Sequence, residues 1–178
     1  DVIILDNNIL ALPDHFKLVC KQARENKIRV DFNQGLDIRL LTDEFTIELK
    51  SLNHISDLRF AWDNIKDEPK IIKGIETLKS YQCKRVMFYI LVGFNTTIEE
   101  DLYRFKVLKD LGQRVYCMRH KKVKGQRLYN DLASWVNQQQ FFNSMSFERF
   151  QECRKNRNLI GDKYENENFI PISSISGI

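Results

Sequence analysis

The sequence predicts an α/β domain built on a parallel sheet, and two observations carry that prediction. Apolar strand-like runs stop four times on polar clusters: residues 2–5 on Asp6-Asn7-Asn8, 30–32 on Asn33-Gln34-Gly35-Leu36-Asp37, 58–62 on Asp63-Asn64, and 86–92 on Gly93-Phe94-Asn95-Thr96-Thr97. A helical pattern follows each run, and a fifth run, 115–118, extends the series at roughly thirty-residue intervals, the length of one strand–helix unit. Strands alternating with helices in this way lie parallel, and their C-terminal ends share one rim, where α/β proteins carry their working groups.

The elements follow in order. Pro13 opens the first helix, at a position where its missing N–H costs nothing, and Phe16, Val19, Cys20 and Ala23 recur at helical spacing. After the strand near residues 29–32, Thr42 is a natural N-cap, with Asp43 and Glu44 in the first turn where the helix dipole favours anions. Phe45, Leu49 and Leu52 form that helix's apolar face. The third helix starts at Asp67-Glu68-Pro69 and carries Ile71, Ile72, Ile75 and Leu78. The run 86–92 is continuously apolar, which predicts burial on both faces. Thr97 and Glu100 form a capping-box pair, Leu102, Phe105 and Leu108 face inward, and Gly112 ends the helix. Beyond Arg127 the pattern turns helical, over 128–142 with Trp135 and Val136, and again over 147–157 behind a Ser146 cap.

Composition narrows the class. With 178 residues, 43% apolar and 29% charged, the chain suits one domain, or most of one, and is not a disordered polymer. The net charge of +4 is local: Arg119, Lys121, Lys122, Lys124 and Arg127 follow one another with no acid between them and exceed the whole excess. The four cysteines, Cys20, Cys83, Cys117 and Cys153, are too widely separated for a metal knuckle. They read as reduced, buried thiols of a cytoplasmic protein, in keeping with the lack of a signal peptide or a run of transmembrane length. The chain opens directly in a strand without an initiator Met, which points to a fragment of a longer protein.

Four passages in order, VIILDNNIL, VDFNQGLDIRLLTDE, LRFAWDN and YILVGFNTTIEEDLYRFKVLKDLG, resemble the radical S-adenosylmethionine (radical SAM) superfamily, most of all bacterial and phage-associated members. The helical stretch YNDLASWVNQQQFF fits the same subgroup, so the resemblance spans residues 1–157. It implies a partial (β/α) TIM-like barrel of about five β-α units over 1–127; the helical pattern beyond adds an extension over 128–160, and the polar, then Ser/Ile/Gly-rich end reads as a flexible tail over 161–178. The resemblance also implies two cofactors, S-adenosylmethionine and a 4Fe-4S cluster. The departure is as informative as the match. The family holds its cluster with a Cys-x3-Cys-x2-Cys loop after the first strand, and no such loop occurs here. The run 2–5 then corresponds to the family's second strand, and the chain is expected to cradle cofactor and substrate without the redox centre, inactive alone.

Carried over residue by residue, the resemblance assigns the cofactor's contacts. Asp6, Asn7 and Asn8 follow the strand that meets the amino group, and their oxygens suit an ammonium donor. Gln34, Asp37 and Arg39 follow the next, where Arg39 suits the carboxylate, unless it simply pairs with Asp37. Asp63 suits the ribose hydroxyls. Gly93, within ILVGF, lets a flat base approach the backbone, and Met118 with Tyr116 suits the adenine pocket. No metal ligand is assigned among these residues, and His15, His54 and His120 receive no role.

Two other readings compete. In one, the chain is a non-catalytic β/α module that engages nucleic acid or an acidic partner through Arg119, Lys121, Lys122, Lys124 and Arg127; aromatic interleaving there is thin, with only Tyr116 and Tyr129 flanking. In the other, Asp6, Asp37 and Asp63 hold Mg²⁺ for hydrolysis. The opened barrel edge at residues 2–5 is also expected to be covered, by a helix, the tail or a second copy in self-association.

Overall fold

The computed structural model describes residues 1–161; of the expected flexible tail, 161–178, Gly161 ends a helix and the rest lies outside the described residues. Among the described residues six strands form, all in parallel pairings. Strands β1 (Val2–Ile4), β2 (Arg29–Phe32) and β3 (Asn53–His54) make one sheet; β4 (Leu58–Ala61), β5 (Val86–Val92) and β6 (Arg114–Arg119) make a second. A parallel bridge between Leu36 and Phe60 links them just beyond β2, where the Leu36 N–H donates to the Arg59 carbonyl at 2.7 Å. The two-residue β3 has no sequence signature. It forms because Asn53 and His54 pass the outer side of β2, in register with Arg29 and Val30. Burial lowers the pKa of His54, and its Nε2 contacts the Leu49 carbonyl at 2.7 Å, so this ring, given no role from the sequence, is structural.

Helices α1 (Pro13–Glu25), α2 (Asp43–Lys50), α3 (Glu68–Ser80) and α4 (Ile98–Asp110) follow their strands with the expected caps. Pro13 opens α1, and the Thr42 side chain accepts from Phe45 N–H. Thr97 and Glu100 complete a reciprocal capping box, and Gly112 (φ 68°) follows the end of α4. Pro13 has no N–H to leave unpaired, and the Thr42, Thr97, Glu100 and Gly112 contacts each pair a group of a helix end.

Strand order follows chain order without reversal, so right-handed crossovers lay the helices on one side of the strands. Burial records this directly. Val30, Phe32, Phe60, Phe88, Ile90, Val115 and Cys117 are buried in one continuous core beneath the helices, whereas the intervening Asp31, Arg59, Met87, Tyr89, Tyr116 and Met118 are half-buried or exposed. The expectation that β5 is buried on both faces is therefore corrected: Met87, Tyr89 and Leu91 are only partly covered. An apolar run alone does not distinguish a strand under two layers from one under a single layer.

The expected helix over 128–142 is two helices, α5 (Arg127–Asn137) and α6 (Gln139–Ser144). Gln138 turns extended between them (φ −101°, ψ 94°), and the break brings Trp135 and Phe142 edge to face with centroids 5.0 Å apart. Helix α7 (Phe147–Gly161) adds Phe147 and Phe150 to the same core. The two outer strands differ. Asn137 covers β6, accepting from the Cys117 N–H at 2.7 Å and donating to its carbonyl at 3.1 Å, as a neighbouring strand would. No described strand pairs with the outer side of β1, and Val2, Ile3 and Leu5 are exposed; of the expected covers for that edge, the tail lies outside the described residues. No helix there is long and apolar enough to cross a membrane.

Candidate functional site

A cleft of about 360 Å³ opens where β1, β2 and β4 end. Its walls bring together Asn7, Asn8, Gln34, Asp37, Arg39 and Asp63, residues spread over most of the first third of the chain. Parallel strands make this possible, because each delivers its following loop to the same rim.

On the β1 side, Asn8 precedes a short turn of 3-10 helix, Ile9–Ala11, whose Ile9 and Leu10 are buried and fix the loop. The Asn8 Oδ1 atom is buried and accepts no hydrogen bond. An unmatched buried acceptor costs about 1–3 kcal/mol, a cost that a donor reaching this atom would relieve.

On the β2 side, Gly35 adopts φ 87°, and a Cβ there would lie 3.4 Å from the Arg59 carbonyl. Glycine thus lets the loop turn left-handed against β4. Asp37 caps the next turn, Ile38–Leu40, accepting from the Arg39 N–H at 3.0 Å. Ile38 in turn packs against Gly74 of α3, where a Cβ would fall 2.3 Å from its side chain. Arg39 is fully engaged: Nε and Nη2 donate to the two Asp37 oxygens at 2.8 Å each, and Nη1 donates to Asp67 at 3.2 Å. That fork holds the Asp37 carboxyl below the usual carboxylate range and raises the Arg39 pKa. Of the two readings of Arg39, the structure shows the Asp37 pair. Two carboxylates on one guanidinium leave this wall negative.

On the β4 side, Asp63 is exposed, with Oδ1 at 3.5 Å from the Leu91 N–H. Trp62 before it is core, its indole N–H donating to the Asn64 carbonyl at 2.7 Å. Tyr89 of β5 closes the floor and meets Tyr116 edge to face at 5.7 Å. Tyr89 was readable from the two-residue alternation of β5, which sets it opposite Phe88 and Ile90.

Three expected residues lie elsewhere. Asp6 is exposed and faces His15, at 3.8 Å, outside the cleft walls. Gly93 (φ 69°) packs against Val123, whose side chain stands 2.4 Å from where a Cβ would be, so the space over its backbone is already filled. Met118 is exposed on β6, away from the cleft walls.

Sequence reasoning missed a second charged cluster at the rim. Asp101 and Arg104 of α4 are both fully buried. Asp101 accepts from the Gly93 N–H at 3.2 Å, from the Thr96 hydroxyl at 2.7 Å and from Arg104. Arg104 also donates to the Trp62 carbonyl and, at 3.1 Å, to that of Leu91. The pair ties the ends of β4 and β5 to α4. Its signal was the spacing: three and four residues apart, Asp101, Arg104 and Phe105 share the inward face with Leu108.

The thiols are placed against a cluster. Cys20 and Cys117 are buried under the helices, and burial pushes both pKa values up to about 12. Cys83 is also raised by burial. None lines the cleft. No group of three His, Cys, Asp or Glu among the described residues is placed to hold a metal ion, which also leaves the expected Asp6, Asp37 and Asp63 set unassembled. No family model, curated protein or solved structure matches the chain.

Proposed function

We propose that the cleft is the S-adenosylmethionine and substrate cradle of a radical SAM protein, and that the two sheets joined at Leu36 and Phe60 are one wall of a partial (β/α) barrel. One observation carries the reading: Asn8, a residue of the cleft wall, has a buried Oδ1 without a hydrogen-bond partner. An ammonium brings three donors and seeks acceptors, and the amino group of the methionine portion is such a group. Asn8, with Asn7 beside it, accepts from that ammonium. Asp63 on the opposite wall accepts from the ribose diol. The acidic wall of Asp37 and Asp67, which Arg39 only partly neutralises, favours the cofactor's positive sulfonium side. Arg39 is a poor clamp for the cofactor's carboxylate while both its edges are taken.

The 4Fe-4S cluster does not fit the described residues, whose cysteines are dispersed, with Cys20 and Cys117 buried, and no step is assigned through it. In the superfamily, cluster and cofactor together supply a 5′-deoxyadenosyl radical. The share of this chain is to bind, orient and exclude water. The test is to express the natural reading frame surrounding this chain, reconstitute it anaerobically with iron and sulfide, and assay release of 5′-deoxyadenosine on reduction. Release is expected. A surrounding frame without a three-cysteine loop, or a reconstituted protein that yields no 5′-deoxyadenosine, removes the radical-enzyme reading.

A further inference from the structure

The sequence leaves the strip from Arg119 to Arg127 without an aromatic partner; the fold supplies one. Phe94, in the loop after β5, is about half exposed and lies against His120, with ring centroids 4.8 Å apart. The Lys122 Nζ stands 5.6 Å from the centre of the Phe94 ring. The arrangement is anchored from below. His120 N–H extends the ladder by donating to the Val92 carbonyl at 3.0 Å, and the His120 ring accepts from the Lys122 N–H at 3.3 Å. Val123 is buried against Gly93. The left-handed glycine identified from sequence as an adenine seat therefore serves as the socket that fixes this turn.

The cations are largely unspent. Among the described residues, Lys121, Lys122 and Lys124 are exposed and enter no ion pair, while Arg127 reaches Asp131 only loosely, at 3.9 Å. Asp131 is also held by Arg154, at 3.1 Å. Arg119 donates to Asn130, an uncharged partner. Because β4, β5 and β6 are parallel, this basic, aromatic half of the rim adjoins the acidic cleft on the same side of the molecule.

We propose that Phe94, His120 and the Lys121–Lys122–Lys124 turn form a docking surface for single-stranded nucleic acid. An exposed aromatic ring with a lysine ammonium over it and further cations beside it fits a base with its phosphates: the base takes a face of the ring, and the ammonium groups neutralise the backbone. An acidic protein segment would use the charges but gain little from the ring, and a duplex hides the base faces. Resting on the cleft reading above, the inference names the substrate class, a nucleotide within a flexible strand led from the basic half of the rim toward the cleft.

The test is fluorescence anisotropy of labelled oligothymidylate and oligouridylate with the whole chain over a range of salt. Binding that weakens as salt rises is expected. Lys121→Glu with Lys122→Glu should weaken it by about tenfold or more and flatten the salt dependence. Phe94→Ala should weaken it by about fivefold or more with the salt slope unchanged, because stacking releases no counterions. No binding at low salt, or polyglutamate competing as well as oligonucleotide with Phe94→Ala silent, overturns the proposal; the latter outcome assigns the surface to an acidic protein. Circular dichroism melts confirm that the variants fold. Titration with S-adenosylmethionine in parallel separates the two readings: its failure with oligonucleotide binding intact removes the cleft assignment, and with it the substrate class, and leaves the docking surface.

Discussion

Two carboxylate–guanidinium pairs stand at the same rim, and burial sets them apart. Asp101 and Arg104 are completely enclosed, and their partners are backbone groups and one hydroxyl of the protein itself. Asp37 and Arg39 have the same chemistry, but Arg39 is 47% exposed and both line the cleft. The first pair fastens strand ends together; the second shapes a surface that a ligand can reach. The same residue types at the same kind of position thus serve opposite ends, and only the solvent around them decides which.

The largest effect should come from breaking the enclosed pair. Arg104→Met leaves Asp101 charged and buried without its partner, and should cost about 3–5 kcal/mol in urea unfolding. Adding Asp101→Leu should recover part of that loss, because the stranded charge is then gone. A neutral Arg104→Met would mean that the pair is not enclosed.

Next in size is Gly93→Ala, which touches the same network through the Gly93 N–H. A left-handed φ and the Val123 methyl groups both oppose a Cβ, so a loss of about 1–3 kcal/mol is expected by chemical denaturation. Val123→Ala on that background should return the steric part only.

The open pair should show itself in pH rather than in size. The Asp37 carboxyl is held below its unfolded value, so its contribution is fully present above about pH 3.9, the ordinary carboxylate pKa, and is lost as pH falls through the lower folded value. Asp37→Asn should therefore flatten part of the acid limb of the melting temperature while changing stability near neutrality by about 1 kcal/mol or less. An acid limb identical to that of the parent would break the contrast. Smallest of all, Lys121→Gln, outside both pairs, should leave stability within about 0.5 kcal/mol.

The contrast also explains what could be read from the sequence. The parallel strands and the caps at Pro13, Thr42 and Thr97 are local or periodic, and the composition states them. Asn7, Asn8, Gln34, Asp37 and Asp63 share a cleft because parallel strands end together, a consequence of topology that alternation encodes. The misses depend on direction and distance. Whether Asp6 follows Asn7 and Asn8 into the cleft or turns to His15 depends on loop dihedrals that no periodicity fixes. The filling of Gly93 by Val123 joins residues from different β-α units. The break at Gln138 serves the contact of Trp135 with Phe142, which emerges only once the helices are packed. Asp101 and Arg104 were legible by spacing, but charged residues on an apolar stripe are easily assigned to water.

The most direct measurement is calorimetric titration of the purified chain with S-adenosylmethionine, for the parent and for Asn8→Leu. Removing an unmatched buried acceptor should leave the melting temperature unchanged or raised, while binding weakens by about tenfold or more. A parent that does not bind, or an Asn8→Leu variant that binds as tightly as the parent, would contradict the assignment of the cleft.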